Sequence, residues 1–340
     1  MNYIITGGTG FIGTHLTKLI HQLHPEANIY NLDIVKPGTP LPLPGHAEYH
    51  KALKVGDTLP SIYVECDVRK PIENLPFTPT SDDIIFNFAA VHRTPGYPDH
   101  EYFETNILGA ENVTAFAEKY GIKRIVFTSS IAPYGAAEDE KFETTLPTPN
   151  TAYGISKLVA EKIHMIWQAK DAANRQLTIC RPGVVFGKGE NGNFTRLYWA
   201  IRGHKMAYPG RKDTIKACIY VKELVRFMMY RVEQHPHGVE LYNCCYEPAY
   251  TIQHICEAMK QVTGLKTWIP DVPNWLIMPV AAIIGALGAP MGICPARVRK
   301  LQISTNICGA KLKNSGYKFK WTFEQALNDW FEDNNKECLL

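Results

Sequence analysis

Short apolar runs recur along the first half of the chain, and between them apolar positions return every three or four residues. The runs are NYIIT (2–6), NIYNLDI (28–34), SIYVECDV (61–68), IIFNFAA (84–90), RIVFTSS (124–130), LTICRP (177–182) and VELYNCC (239–245). Several are continuously apolar instead of alternating, as expected of parallel strands covered by helices on both faces. The intervening segments predict helices, for example over 109–120 and 152–168. In the second of these, Ile155, Leu158, Val159, Ile163, Ile166 and Trp167 fall at helical spacing, and Asn150 or Thr151 stands ready as a cap. Strand and helix in alternation predict an α/β fold built on a doubly wound parallel sheet.

After Gly187 the segments shorten and become richer in Gly, Pro and aromatic residues. Residues 1–187, with 218–248 returning to the sheet, therefore read as one Rossmann domain. Residues 188–217 and 249–340 read as a smaller C-terminal α/β domain covering the substrate. From Val272 to Ala296 no residue is charged, and Pro279, Gly285, Gly288 and Pro290 interrupt the apolar run. A spanning helix wants about 20 consecutive apolar residues. The expectation is a buried or lid helix over 272–293, with a membrane-surface contact as the competing reading and no integral insertion.

Composition narrows the class. Of 340 residues, 45% are hydrophobic and 20% charged, the balance of a globular protein and not of a disordered or fibrous one. A net charge of +3 without long basic runs gives no reason to expect a nucleic-acid partner. The nine cysteines form no CxxC pair, and the histidines show no ligand spacing, so reduced thiols and no metal are expected. A strand pattern begins at Asn2, with no visible targeting segment, which points to the cytoplasm.

The stretch TGGTGFIG (Thr6–Gly13) follows the first strand and opens a helix, with Gly7, Gly10 and Gly13 spaced GxxGxxG. Glycines there allow a tight turn and close backbone approach, so that a pyrophosphate sits on a helix N-terminus. Asp33 ends the second strand, where a carboxylate accepts from ribose hydroxyls and repels a 2′-phosphate. NAD is thus favoured over NADP, with Lys36 nearby as the opposing charge. Further on, FTSSIAPYG (Phe127–Gly135) lies at the carboxyl end of the fifth strand. YGISK (Tyr153–Lys157) then places a tyrosine and a lysine one turn apart on a helix. Taken singly, the serines suit a strand-to-loop transition, and YxxxK suits an ordinary helix surface. Together with the glycine turn and Asp33 they form a set.

That set resembles the extended short-chain dehydrogenase/reductase family, and within it the NAD-dependent nucleotide-sugar epimerases, dehydratases and reductases. TGGTGFIG, CDVRK, NFAAVH, NILGAENV, TSSIAPYG, YGISKLVAEK and RPGVVFGKGENGN carry the likeness. The resemblance implies Ser130, Tyr153 and Lys157 as catalytic residues. It implies Gly7, Gly10, Phe11, Ile12, Gly13, Asp33, Asp67, Val68, Ala89, Ala90 and Asn106, with Tyr153 and Lys157, along NAD. Ser130, His92, Asn193 and Lys216 are implied on the substrate side, the last two at a diphosphate. A homodimer through the helices around 103–120 and 152–168 is implied as well, and a UDP-linked sugar ahead of a GDP-linked one.

Departures from the pattern shape the expected reaction. Related dehydratases carry an acidic pair after the catalytic hydroxyl residue, and related decarboxylases a glutamate in the same loop. Here Ile131 and Ala132 follow Ser130. Val184 replaces an asparagine common in UDP-sugar epimerases, and His92 stands where some relatives have lysine. The expected activity is a nucleotide-sugar 4-epimerase working through a transient 4-keto sugar. A keto-sugar-nucleotide reductase or dehydrogenase is the alternative, and a non-catalytic dinucleotide sensor a remote one.

Overall fold

The computed structural model describes residues 1–39, 59–92, 96–235, 237–286 and 295–340. In chain order the first half holds β1 (Asn2–Thr6), α1 (Phe11–Leu23), β2 (Asn28–Asp33), β3 (Ile62–Glu65), β4 (Ile84–Asn87), α2 (Asp99–Lys119), β5 (Arg124–Thr128), β6 (Ala137–Lys141) and α3 (Ala152–Ala169). There follow β7 (Gln176–Pro182), β8 (Val184–Phe186), α4 (Asn193–Arg202), β9 (Tyr208–Pro209), β10 (Ile215–Lys216), β11 (Cys218–Tyr220), α5 (Val221–Glu233) and β12 (Gly238–Cys244). The last part holds β13 (Tyr250–Thr251), α6 (Ile252–Thr263), β14 (Asp271–Val272), α7 (Asn274–Ala286), α8 (Pro295–Gln302), β15 (Thr305–Ile307), α9 (Ala310–Lys313) and α10 (Phe323–Asp333).

Seven strands make one sheet in the order β3-β2-β1-β4-β5-β7-β12, every pairing parallel. All seven apolar runs of the sequence are in it. The chain winds outward from β1 to β3, then crosses back to β4 on the other side of β1. This reversal opens a crevice beyond the carboxyl ends of β1 and β4, where doubly wound folds bind ligands. Leu16 and Ile20 of α1 pack with Leu224, Phe227 and Met228 of α5 on one face of the sheet. Val113 and Phe116 of α2 pack with Ala160 and Trp167 of α3 on the other.

The remaining elements form an aromatic cluster around Phe186, Phe194, Tyr198, Phe323 and Trp330. Phe186 stacks on Phe194 at 4.8 Å and meets Phe323 edge-on at 5.5 Å. A four-stranded sheet, β13-β10-β15-β6, joins this part to the segment following β5.

Two elements differ in detail from what their apolar pattern alone suggests. In α3 the apolar stripe is not the buried face: Ile155 and Ile166 are exposed, and Ser156, Lys157, Glu161 and His164 point inward with Trp167. The uncharged segment does form a helix over Asn274–Ala286, but Trp275 and Leu276 lie outside the core. The expected span 272–293 runs past Ala286 into residues outside those described.

Candidate active site

The glycine turn fits a dinucleotide. Gly7 has φ +69°, and a Cβ on it would stand 2.7 Å from the Ala89 nitrogen, so the turn lies directly against the strand end after β4. Gly10 caps α1 without any side-chain hydrogen bond, which leaves the first N–H groups of α1 without a side-chain cap, an anion-binding arrangement. Phe11 and Ile12 open that helix, and Gly13 packs beneath the turn. At the end of β2, the Asp33 carboxylate accepts from Thr9 N–H at 3.1 Å and Val35 N–H at 3.0 Å. Each of its oxygens retains acceptor capacity for a hydroxyl. Asp67, beyond β3, is gripped by Arg69 at 2.7–3.0 Å, and that hydrogen bonding lowers its pKa. Val68 is buried beside it.

The reactive end assembles where β5 stops. Ser129 N–H donates to Cys180 O at 2.7 Å, and Ile131 N–H to Pro182 O at 3.2 Å, so the loop continues along β7. The Ser130 hydroxyl oxygen accepts from Ala132 N–H at 3.1 Å, leaving its own O–H to donate elsewhere. Thr151 caps α3 by accepting from Gly154 N–H at 3.0 Å. A Cβ on Gly154 would lie 2.7 Å from Ala132 O, and this close approach sets Tyr153 against the serine loop. The Ser130 hydroxyl lies close enough to Tyr153 to work against the effect of burial on its phenol. Lys157 is buried, donates to Thr128 O at 2.7 Å and stands 4.7 Å over the Phe127 ring.

Electrostatics sets the resting state of this group. Burial raises the Tyr153 pKa; the Ser130 hydroxyl works against it, and Tyr102 adds to it. Burial also lowers Lys157 to about 7, opposed by the Glu161 carboxylate one turn further along α3. Tyr153 therefore rests as a neutral phenol, and Lys157 holds its proton less tightly than a free lysine does.

Asn106 ties the two halves together. Its amide accepts from Val91 N–H at 2.9 Å, and donates to Val91 O at 3.1 Å and Ser156 Oγ at 2.9 Å. The backbone after β4, including Ala89 and Ala90, is thereby fixed to α3. His92 follows on the exposed side. Asn193 is exposed at the start of α4, and Lys216 in β10 donates to Ile303 O at 2.6 Å.

A buried polar layer under the site was not anticipated. Ser129 Oγ donates to Glu161 at 2.5 Å, and Arg181 binds the same carboxylate through two bonds of 2.8 and 2.6 Å. The guanidinium lies 4.7 Å over Tyr134. His164 Nδ1 faces Ala160 O at 2.7 Å and must donate, so Nε2 accepts from Asn87 at 3.2 Å. Burial lowers His164 to about 4, so it stays neutral. The signal for this layer was readable: Lys157, Glu161, His164 and Gln168 repeat at helical spacing along one stripe.

Comparison with known proteins places the chain. The profile of the NAD dependent epimerase/dehydratase family matches residues 3–245, well over half of the sequence. N-acetyl-alpha-D-glucosaminyl-diphospho-ditrans,octacis-undecaprenol 4-epimerase of Escherichia coli O157:H7 is 29% identical over 331 residues, 96% of this chain and 93% of that protein. UDP-N-acetyl-alpha-D-glucosaminuronate decarboxylase of Bacillus cytotoxicus is 23% identical over 291 residues, 81% of this chain and 84% of that one. The solved structure of MoeE5 in complex with UDP-glucuronic acid and NAD superposes with a TM-score of 0.69 at 21% identity, covering 98% of this chain and 100% of that one. The chain belongs to the NAD dependent epimerase/dehydratase family. It is an NAD-dependent epimerase or related oxidoreductase, and its glycine turn, uncapped α1 and Asp33 fit that cofactor.

Proposed function

We propose that the chain is a 4-epimerase of a diphosphate-activated sugar, with Tyr153 as its acid/base and Ser130 and Lys157 as its partners. The observation that carries this reading is the approach of Tyr153, fixed by the close packing of Gly154 on Ala132, to the Ser130 loop, with Lys157 buried one turn on and Ile131–Ala132 following Ser130 without an acid. Elimination of water needs a further acid in that loop, and carbon redox does not. NAD, when bound, supplies the acceptor and donor of hydride at C4. Tyr153, deprotonated under the influence of the Lys157 ammonium, takes the proton of the C4 hydroxyl and later returns it to the ketone oxygen. Ser130 donates its O–H to that oxygen while its charge changes. The ketone turns over within the pocket between the two transfers, so the product differs only in the configuration at C4. The cofactor ends as it began.

Asn193 and Lys216 are assigned to the sugar's diphosphate, and His92 to the rim. A UDP carrier is favoured ahead of GDP. A second reading, a sugar carried on a polyprenyl diphosphate, is favoured by the near full-length alignment with the undecaprenyl-linked epimerase. Both carriers present the same diphosphate at the anomeric carbon. Residues 1–187 and 218–248 are assigned to the NAD domain, and 188–217 and 249–340 to a smaller domain that meets the substrate through Asn193 and Lys216. The eight described cysteines are all free, which supports a reducing compartment such as the cytoplasm.

The test is to incubate the protein with catalytic NAD and UDP-GlcNAc, UDP-glucose or undecaprenyl-diphosphate-linked GlcNAc, following the H4 signal by NMR. The expected result is interconversion of one C4 pair without net NADH, and a kcat about 10²-fold lower for Tyr153→Phe with NAD still bound. Stoichiometric NAD(P)H oxidation with loss of a keto-sugar, and no epimer, establishes the reductase instead.

A further inference from the structure

Helix α7 carries an apolar face that none of the described residues covers. Trp275 is 77% and Leu276 47% exposed, and Pro279 and Ala282 are exposed with them. Positions 275, 279 and 282 lie on one side of a helix, whereas Ala281 is buried. Single exposed apolar residues are ordinary on soluble proteins. This face is continuous, and it sits in a stretch without charge from Val272 to Ala296.

Cations stand at both ends of that stretch. Beyond it Arg299 of α8 is exposed, and the exposed Ile303 follows. Before it, Lys205, Lys266 and Trp268, the last 79% exposed, line a shallow groove. Tyr208–Pro209 pairs with Asp271–Val272 between groove and helix. The one acidic residue of that pair, Asp271, is already matched by Lys212 at 3.2 Å.

We propose that the α7 face, Trp268 and these basic flanks form a docking surface for an anionic lipid bilayer. Tryptophan and aliphatic side chains enter the headgroup boundary, and lysine and arginine meet lipid phosphates. A second copy is the poorer occupant, because pairing two α7 faces brings like-charged flanks together. The 13 described residues of α7 rise about 20 Å, short of the roughly 30 Å hydrocarbon core; among the described residues no helix is long enough to cross, and α7 is placed in the surface. The surface is also tied to the substrate side. Ile303 receives Lys216, and Thr305 in β15 pairs with both Lys216 and Ala137, in the strand leaving the Ser130 loop. Docked there, the chain meets a sugar whose diphosphate is held by a membrane lipid. That last step rests on the polyprenyl reading above; the docking itself does not.

The test is co-sedimentation of the full chain with phosphatidylcholine vesicles, with and without phosphatidylglycerol. It compares wild type with the exposed double variant Trp275→Ser/Leu276→Ser, and it follows C4 epimerisation of a UDP-sugar in parallel. Binding to the phosphatidylglycerol vesicles, weakened about tenfold or more in the double variant while soluble turnover is unchanged, is expected. Wild type left in the supernatant with both vesicle types overturns the proposal, as does a double variant that binds equally well. So does light scattering that shows α7-dependent self-association without vesicle binding. Epimerisation without vesicle binding removes the surface and leaves the reaction; vesicle binding without epimerisation does the reverse.

Discussion

Lys157 carries an electrostatic cost at the candidate site, because burial opposes its ammonium. Its ordinary pKa is about 10.4, and burial lowers it to about 7 in the fold. Between those values the unfolded chain binds a proton that the folded chain releases, so stability rises with pH across that window. Below about pH 7 the full penalty of the buried ammonium is present. Lys157→Met removes the titration. Wild type should therefore be less stable than the variant near pH 6 and gain on it steadily toward about pH 10, while the variant loses turnover. Urea midpoints for both proteins across that range check the claim, and a difference that does not change with pH refutes it. The proximity of the candidate residues was legible, since Ser130 stands in the loop after β5 and Tyr153 and Lys157 open the next helix of the doubly wound fold. Asp67 adds a contact that the sequence did not announce: its carboxylate is held by Arg69, two residues away.

At the scale of the element, α3 shows what periodicity leaves open. The spacing of Ile155, Ile163 and Ile166 correctly marks a helix, yet the inward stripe is the polar one. A helix beneath a site can bury Ser156, Lys157, Glu161 and His164 because every one of them finds a partner. Those partners, Asn106, Thr128, Arg181 and Asn87, come from four other elements, so no local pattern announces them. The Glu161–Arg181 pair holds β7 to α3 directly under Ser129. Glu161→Gln leaves a buried guanidinium without its counter-charge and should cost about 3–5 kcal/mol. The double variant Glu161→Met/Arg181→Met removes both charges and should lose much less. Chemical denaturation of the three proteins decides it; equal losses in single and double variants would show that packing, not charge, governs the pair.

For the whole molecule, the parallel sheet and its crevice were readable because buried strands are continuous and local. The smaller part was not, because its strands are two or three residues long and pair across distant segments, as Lys216 does with Thr305. Its aromatic cluster gathers residues from Phe186 to Trp330, a range no window of sequence spans. One property belongs to the molecule as a unit, its association state. Helices α2 and α3 pack side by side, joined at one end by Lys170–Glu118 at 3.0 Å. Outward from this pair project Leu108, Ile155 and Ile166, the last 61% exposed. Two such surfaces meeting about a two-fold axis make an isologous four-helix interface, the commonest way for identical subunits to pair. A partner on this face leaves α7, on a different element, free for a bilayer. Light scattering at micromolar concentration should give twice the 38.3 kDa chain mass. Ile166→Asp places an unpaired charge in that interface, far along α3 from Tyr153, and should shift the protein to monomer with its fold intact by circular dichroism. A wild-type monomer under the same conditions, or a dimer indifferent to Ile166→Asp, excludes this face as the contact.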